Sequence, residues 1–482
     1  MLRISPYERI KMNNVVEIGQ GINFAVVGAT ALDSSFHEAQ GVYNPFTNAS
    51  LGVQIKWFKE LLPSFCVTKS DCRNILRNSL ILMGEIGGND YNHPIVTGKP
   101  FDEIESYVPL VINTIVSALK ELIDLGAQTL VVPGNLPIGC LPKYLTQYYG
   151  SDKVELDNTT GCLVHLNKLA EYHNDFLQMA LNQIRELNPN VNVIYADYYN
   201  AAMQFYLSPQ EYGFTNGTLA ACCGSEGPYN YDPLVACGDP SSRSCDHPEK
   251  YANWDGLHLT EAAYHMMYKS LFHGTYTTPQ FNTLCPISNG QARDGSSSSA
   301  RAGRTYVKPI AYYLTSHFLS SNSLMASSFV SILIFLMLLL GYNMHANGCY
   351  TSIISFGDSL ADTGNLKQIY SNSNRDPPHF FFPPYGETFF HEVTGRCSNG
   401  RLIIDFIAET LGMLPISSYA TIKTNNLTKI GQGLNFAVVG ATALDASFHE
   451  AHGVYNPFTN ASLNVQLKWF KELLPSICIT KS

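Results

Sequence analysis

Short runs rich in β-branched and aromatic residues alternate along this chain with longer segments whose apolar residues recur every three or four positions. The runs at 23–27 (NFAVV), 79–86 (SLILMGEI), 128–133 (QTLVVP), 190–195 (NVNVIY) and 351–356 (TSIISF) predict strands. The segments at 103–125, 157–187, 260–272 and 400–411 carry helical periodicity. Alternation of this kind predicts an α/β fold with a parallel sheet between layers of helices.

The pattern also repeats itself. Residues 1–70 recur as 413–482 at a constant offset of 412, and 55 of the 70 positions are identical. GVYNPFTNAS at 41–50 returns unchanged at 453–462. Solenoid repeats are short and contiguous, and this one is neither. Each copy is truncated at the opposite end, which reads as a fusion of two neighbouring copies. Between them, 288–304 (SNGQARDGSSSSARAGR) is rich in Ser, Gly and Arg and reads as a flexible connection. Met325 then opens MASSFVSILIFLMLLLGYNMHANGC, whose apolar run at 329–340 has the length of a signal-peptide core. That run is too short for a membrane span, which wants roughly 20 apolar residues. The expected organisation is therefore 1–285, a linker at 286–324, a signal-like segment at 325–348, and a second partial copy at 349–482.

Composition narrows the class. The chain has 482 residues, 45% hydrophobic and 14% charged, with a formal net charge of −9. That gives ample material for a core and no basic stripe for nucleic acid. Twelve cysteines and five N-x-S/T sequons (Asn48, Asn158, Asn216, Asn426, Asn460) favour a secreted or other secretory-pathway protein. The cluster Cys222, Cys223, Cys237 and Cys245 lacks paired C-x-x-C knuckles, so disulfides are expected there rather than zinc. Sequence singles out one bridge, Cys66–Cys72, across a short polar loop, and leaves the other pairings open.

Candidate chemistry sits at strand ends. The run 351–356 breaks into Gly357-Asp358-Ser359-Leu360, which puts a serine at the carboxyl end of a strand, where open α/β sheets place their active sites. A serine hydroxyl needs a base, and His258 is the candidate, with Asp255 three residues earlier holding the imidazole in one tautomer. Asn89 offers an amide donor for an oxyanion, and Gly28 or its repeat Gly440 offers a backbone N–H. Read blandly, Asn89 is an Asx turn and Gly28 a turn glycine. His37 and His449, in the two SFHEA segments, are expected at the surface, and Trp57 and Trp469 on amphipathic helix faces.

FGDSLADTGN at 356–365, PPYGETFFHEVTGRCSNGRLIIDFIAETLG at 383–412, NFAVVGATAL at 23–32, Gly87-Gly88-Asn89-Asp90 and Asp255-Gly256-Leu257-His258 together resemble the signature blocks of the plant GDSL (SGNH) esterase/lipase family. The likeness is strongest to the branch acting on acetylated alkaloids and choline esters. It implies a flavodoxin-like three-layer αβα fold and a serine ester hydrolase with Ser359, Asp255 and His258 as catalytic residues and Gly28, Asn89 and Gly440 as oxyanion donors. It implies no metal or organic cofactor, a small-molecule or lipid ester as the partner, and no stable membrane span. The departure is one of order. The family runs Ser, Gly, Asn, then Asp-x-x-His, whereas here the serine comes last, as in a circular permutation. Neither 1–285 nor 349–482 holds a full set. The competing expectation is a catalytically inactive split or fused remnant. No G-x-x-x-x-G-K-[ST] loop is present for nucleotide chemistry.

Overall fold

The computed structural model describes residues 21–44, 47, 49–65, 69–285, 349–371, 376–413, 417–418 and 434–438. The described residues of 1–287 and of 349–482 fall in one compact unit. The linker and the signal-like segment lie outside the described residues, as do Gly440, His449, Trp469 and the expected Cys66–Cys72 bridge.

Ten strands are described: β1 Gly21–Val26, β2 Ser79–Leu82, β3 Thr129–Pro133, β4 Asn192–Ala196, β5 Cys223–Gly224, β6 Arg243–Ser244, β7 Thr277–Thr278, β8 Ser352–Ser355, β9 Ser417–Ser418 and β10 Leu434–Val438. Eight of them form one sheet in the order β10-β9-β1-β8-β2-β3-β4-β7, and β10 also pairs with β1. All its pairings are parallel except β4 with β7. The remaining two, β5 and β6, make a small antiparallel pair.

The sheet is buried on both faces because its strands are apolar at successive positions. Leu80, Leu82, Val131, Ile194 and Ile353 belong to one core, and Ile81, Leu130, Val193 and Ile354 to the other. Helix Val108–Leu125 and much of helix Val164–Leu187 pack into the second of these cores, and helices Glu261–Tyr268 and Ile403–Thr410 into the first. The expected three-layer α/β architecture with a mostly parallel sheet is what the chain adopts. Two of the expected helices are shorter or divided. The segment 103–125 breaks at Ser106–Tyr107 between helices Phe101–Glu105 and Val108–Leu125. The segment 157–187 becomes helical only at Val164, because Asp157 folds its own turn by accepting the N–H groups of Thr159 and Thr160.

β8 lies between β1 and β2, although it follows β2 by more than 250 residues of chain. Its register is fixed on both sides: Leu80 faces Ile353 and Leu82 faces Ser355 on one edge, Gly21 faces Ile353 and Asn23 faces Ser355 on the other. The backbone of the first stretch is thus completed by a strand from the second.

Among the described residues four disulfides are formed: Cys140–Cys162, Cys222–Cys245, Cys223–Cys237 and Cys285–Cys349. The cysteine cluster weighed for zinc is therefore bonded sulfur to sulfur. Cys285–Cys349 ties the end of the first stretch to the start of β8 across 64 residues of sequence. Closing a loop of that length stabilises the fold by about 4 kcal/mol on chain-entropy grounds. The double variant Cys285→Ser/Cys349→Ser is expected to lose most of that in urea unfolding. An unchanged midpoint would show that the bridge contributes nothing. Asn158 and Asn216, two of the sequons, are exposed.

Candidate active site

The serine turn is built by close backbone approach. β8 ends at Ser355, and Gly357 takes φ 129°, a left-handed value that suits glycine. Gly84, at the end of β2, also has positive φ, and a Cβ there would stand 2.0 Å from the Phe356 carbonyl oxygen. Only two glycines let the strand ends meet so closely. The turn is then clamped from the helix Leu51–Phe65: the Gln54 side chain donates Nε2–H to the Gly357 carbonyl at 2.8 Å and accepts the Gly357 N–H at 2.6 Å. Val26 N–H donates to the same carbonyl, and Asp358 N–H donates to the Glu85 carbonyl at 3.1 Å. Ser359 is held, buried, at the head of this turn.

His258 and Asp255 come from the loop before helix Glu261–Tyr268. Asp255 Oδ1 accepts the backbone N–H groups of Leu257 and His258, both at 2.8 Å, which closes the loop on itself. Its Oδ2 meets His258 Nδ1 at 2.8 Å. The buried Tyr385 hydroxyl, from the second stretch, donates to that same Oδ2 at 2.8 Å. Burial alone would raise the Asp255 carboxyl. The His258 charge and these hydrogen bonds outweigh it and hold the group well below the usual carboxylate range. Burial, with the Asp255 charge beside it, pushes the Tyr385 phenol well above its normal value, so it stays a donor.

Ser359, His258 and Asn89 line one pocket, together with Glu85, Asn135, Asp358 and a rim of leucine and isoleucine. With Nδ1 engaged by Asp255, the opposite ring nitrogen is left for the serine. No hydrogen bond joins Ser359 Oγ to His258 among the described residues, although both line the one pocket. Gly28 does not line it. Gly28 sits one residue from Ala29, whose carbonyl takes an Asn89 N–H at 3.1 Å, and its own carbonyl is engaged by Asn44 at 2.9 Å. The second Asn89 N–H goes to Asp358 Oδ2 at 2.8 Å, and Asn89 Oδ1 accepts from Asn92 at 3.3 Å. Both amide donors of Asn89 are thus spent within the protein.

The structure also adds groups that sequence reading passed over. His37, expected at the surface, is 1% exposed, and its Nε2 meets Asp90 Oδ1 at 2.9 Å. Asp90 further accepts the N–H groups of Ala31, at 2.5 Å, and Leu32, at 2.8 Å, and so ties the 28–32 loop to the Asn89 helix. SFHEA looks like a solvated helix turn in isolation; a partner 53 residues away draws its histidine inward.

Glu85 and Asp358 form a buried carboxyl pair beside the serine. Burial pushes Glu85 up to about 7, and burial plus the Glu85 charge pushes Asp358 well above its usual range. Glu85 Oε1 accepts the Gly88 N–H at 3.0 Å, and Asp358 Oδ1 accepts the Leu360 N–H at 2.9 Å. A carboxyl whose folded pKa lies above its unfolded value favours folding only while protonated. Its contribution is complete below the unfolded value of 4.5 and is lost as pH rises toward 7. Stability is expected to decline over that window by on the order of a few kcal/mol, and Glu85→Gln is expected to flatten the slope. Denaturant midpoints measured from pH 4 to 8 check this; parallel profiles for the two proteins would refute it.

Comparison with known proteins gives the family. The family model described as GDSL-like Lipase/Acylhydrolase matches residues 3–271 and 353–481. The chain is 51% identical over 280 residues to GDSL esterase/lipase At1g28580 of Arabidopsis thaliana, covering 58% of this chain and 72% of the relative. It is 52% identical over 266 residues to GDSL esterase/lipase At1g31550 of the same plant, covering 55% of this chain and 67% of the relative.

Proposed function

Because the chain belongs to the GDSL-like lipase/acylhydrolase family and is a carboxylic ester hydrolase, we propose that it works through an acyl-enzyme on Ser359. His258 takes the Ser359 proton as Oγ attacks the ester carbonyl carbon. The C–O bond to the leaving alcohol then breaks, and the imidazolium returns the proton to that alkoxide oxygen. Water repeats the sequence on the acyl-serine: His258 accepts its proton, the carboxylic acid leaves, and the proton returns to Oγ. Asp255 keeps Nδ1 protonated and stabilises the imidazolium. The observation that carries this reading is the His258–Asp255 pair opening on the pocket that holds Ser359.

The substrate class is a small-molecule or lipid ester. The apolar rim of Leu136, Ile138, Leu141, Leu257 and Leu360 favours an uncharged group beside the scissile bond. Disulfides in the described residues support a secretory-pathway location. In this reading 1–285 and 349–482 act as one catalytic unit derived from two truncated copies. The test is release of p-nitrophenol from p-nitrophenyl acetate by the full chain, with mass spectrometry of the peptide carrying Ser359 after treatment with a fluorophosphonate. Phosphonylation of Ser359 with matching loss of turnover is expected. The alternative, an inactive remnant, is favoured by the spent Asn89 donors and the absent Ser359–His258 bond. It predicts neither labelling nor turnover.

A further inference from the structure

The carboxylate of Asp255 has its acceptor sites full. A carboxylate offers about four lone-pair sites on its two oxygens. Oδ1 takes the backbone N–H groups of Leu257 and His258, both at 2.8 Å. Oδ2 takes His258 Nδ1 at 2.8 Å and the Tyr385 hydroxyl at 2.8 Å. The first three donors belong to the loop that carries Asp255. The last comes from 130 residues away, in the stretch that also supplies Ser359.

The tyrosine is built into that place. Tyr385 is buried, and its ring meets Trp254, the residue before Asp255, edge to face with centroids 5.8 Å apart. Trp254 N–H in turn donates to the His258 carbonyl at 2.7 Å. On another side Gly238 lets the chain pass closely: a Cβ there would stand 3.6 Å from the Tyr385 ring and 2.3 Å from the His379 carbonyl oxygen. The next residue is fastened by Gly386 N–H to the Ser398 carbonyl at 3.0 Å. The ring is thus wedged against the loop of the base, with its hydroxyl on Asp255.

We infer that Tyr385 is a positioning residue for the base: its hydroxyl fills the last acceptor site of Asp255, fixes the carboxylate against His258 Nδ1 and favours the neutral, proton-accepting imidazole. The inference rests on the serine esterase reading above. Its direction follows from charge. Beside a neutral imidazole the carboxylate keeps its full negative charge and holds the phenol O–H strongly. Once His258 is protonated, the imidazolium shares that charge and the same bond weakens. A donor of this kind therefore opposes protonation of the base.

Other groups face the pair. Lys143, Tyr231, Tyr264 and Cys397 feel the Asp255 charge, and His379 feels both Asp255 and His258. Burial raises the two phenols and the thiol and lowers His379, which leaves all four neutral near pH 7. Glu85 and Asp358 line the pocket with His258, and Glu85, pushed up to about 7, titrates in the window of interest. Tyr385→Phe is therefore measured in the wild-type and in the Glu85→Gln background.

The test uses the full-length chain. It follows kcat/KM for p-nitrophenyl acetate from about pH 5 to 9, and the titration of the His258 ring proton by NMR. Tyr385→Phe keeps the ring on Trp254 and removes only the hydroxyl. The acid limb and the NMR midpoint are expected to move up together by about 0.5 to 1 pH unit in both backgrounds. On the limb that is a loss of roughly three- to tenfold in kcat/KM. A uniform loss at every pH with an unmoved limb would give the tyrosine a packing role only and overturn the proposal. A midpoint within about 0.2 unit of the parent protein overturns it as well, as does a shift that vanishes in the Glu85→Gln background. A full-length chain that turns over no ester overturns the esterase reading, while the NMR midpoints still decide the Tyr385 contact.

Discussion

Ser359→Ala is expected to lower kcat for ester hydrolysis by on the order of 10⁴ to 10⁶-fold while leaving the fold intact. The effect is large because no other described hydroxyl in the pocket can form the acyl-enzyme; the lining is otherwise amide, carboxylate, imidazole and aliphatic. The fold tolerates the change because the turn is held by backbone and by Gln54, not by the serine hydroxyl. Gln54 binds both polar atoms of Gly357, Asp358 N–H reaches the Glu85 carbonyl, and Leu360 N–H is capped by Asp358. Thermal midpoints within about 2 °C of each other, together with loss of fluorophosphonate labelling, are the expected pair of results. Residual turnover within tenfold of wild type would mean that the nucleophile lies elsewhere.

The parts of this site that were legible in the sequence are those carried by neighbours in the chain. Gly357-Asp358-Ser359 announces itself because a strand run stops at a glycine. Asp255 and His258 are three residues apart, and the loop between them closes through bonds that Asp255 makes to its own next residues. The groups that were not legible depend on contacts across long stretches of chain. Gln54 grips Gly357 from 303 residues away, and Tyr385 reaches Asp255 across 130. A glutamine in an amphipathic helix and a tyrosine in a proline-rich turn carry no local mark of such roles. Asn135 is similar: an asparagine after a strand reads as a turn residue until its clamp to Asn174 is seen. The block around Gly28 is legible as a strand end, and what its sequence does not show is that the loop it opens is bound to Asp90 through the N–H groups of Ala31 and Leu32.

The same logic gives the second large effect. A chain ending at residue 285 is expected to lose both esterase activity and cooperative unfolding, and not merely its nucleophile. β8 is an interior strand: it pairs with β1 on one side and β2 on the other, and Ile353 and Ile354 bury on opposite faces of the sheet. Removing it leaves the facing edges of β1 and β2 with unpaired backbone groups inside the core, where each orphaned N–H or C=O costs about 1–3 kcal/mol. The loss also reaches the proposed base, His258, because the Tyr385 that holds Asp255 and the Cys349 half of a disulfide depart with it. Total stability of a domain is about 5–15 kcal/mol, so a gap of this kind exceeds what the remaining contacts can offset. Co-expression of 349–413 as a separate chain should restore part of both properties, since the lost strand, the tyrosine and helix Ile403–Thr410 return together. Far-UV circular dichroism through a urea titration, with p-nitrophenyl acetate turnover on the same samples, measures both. A 1–285 chain that unfolds cooperatively and hydrolyses ester at the full-length rate would show that β8 is dispensable and that the serine at its end is not the nucleophile.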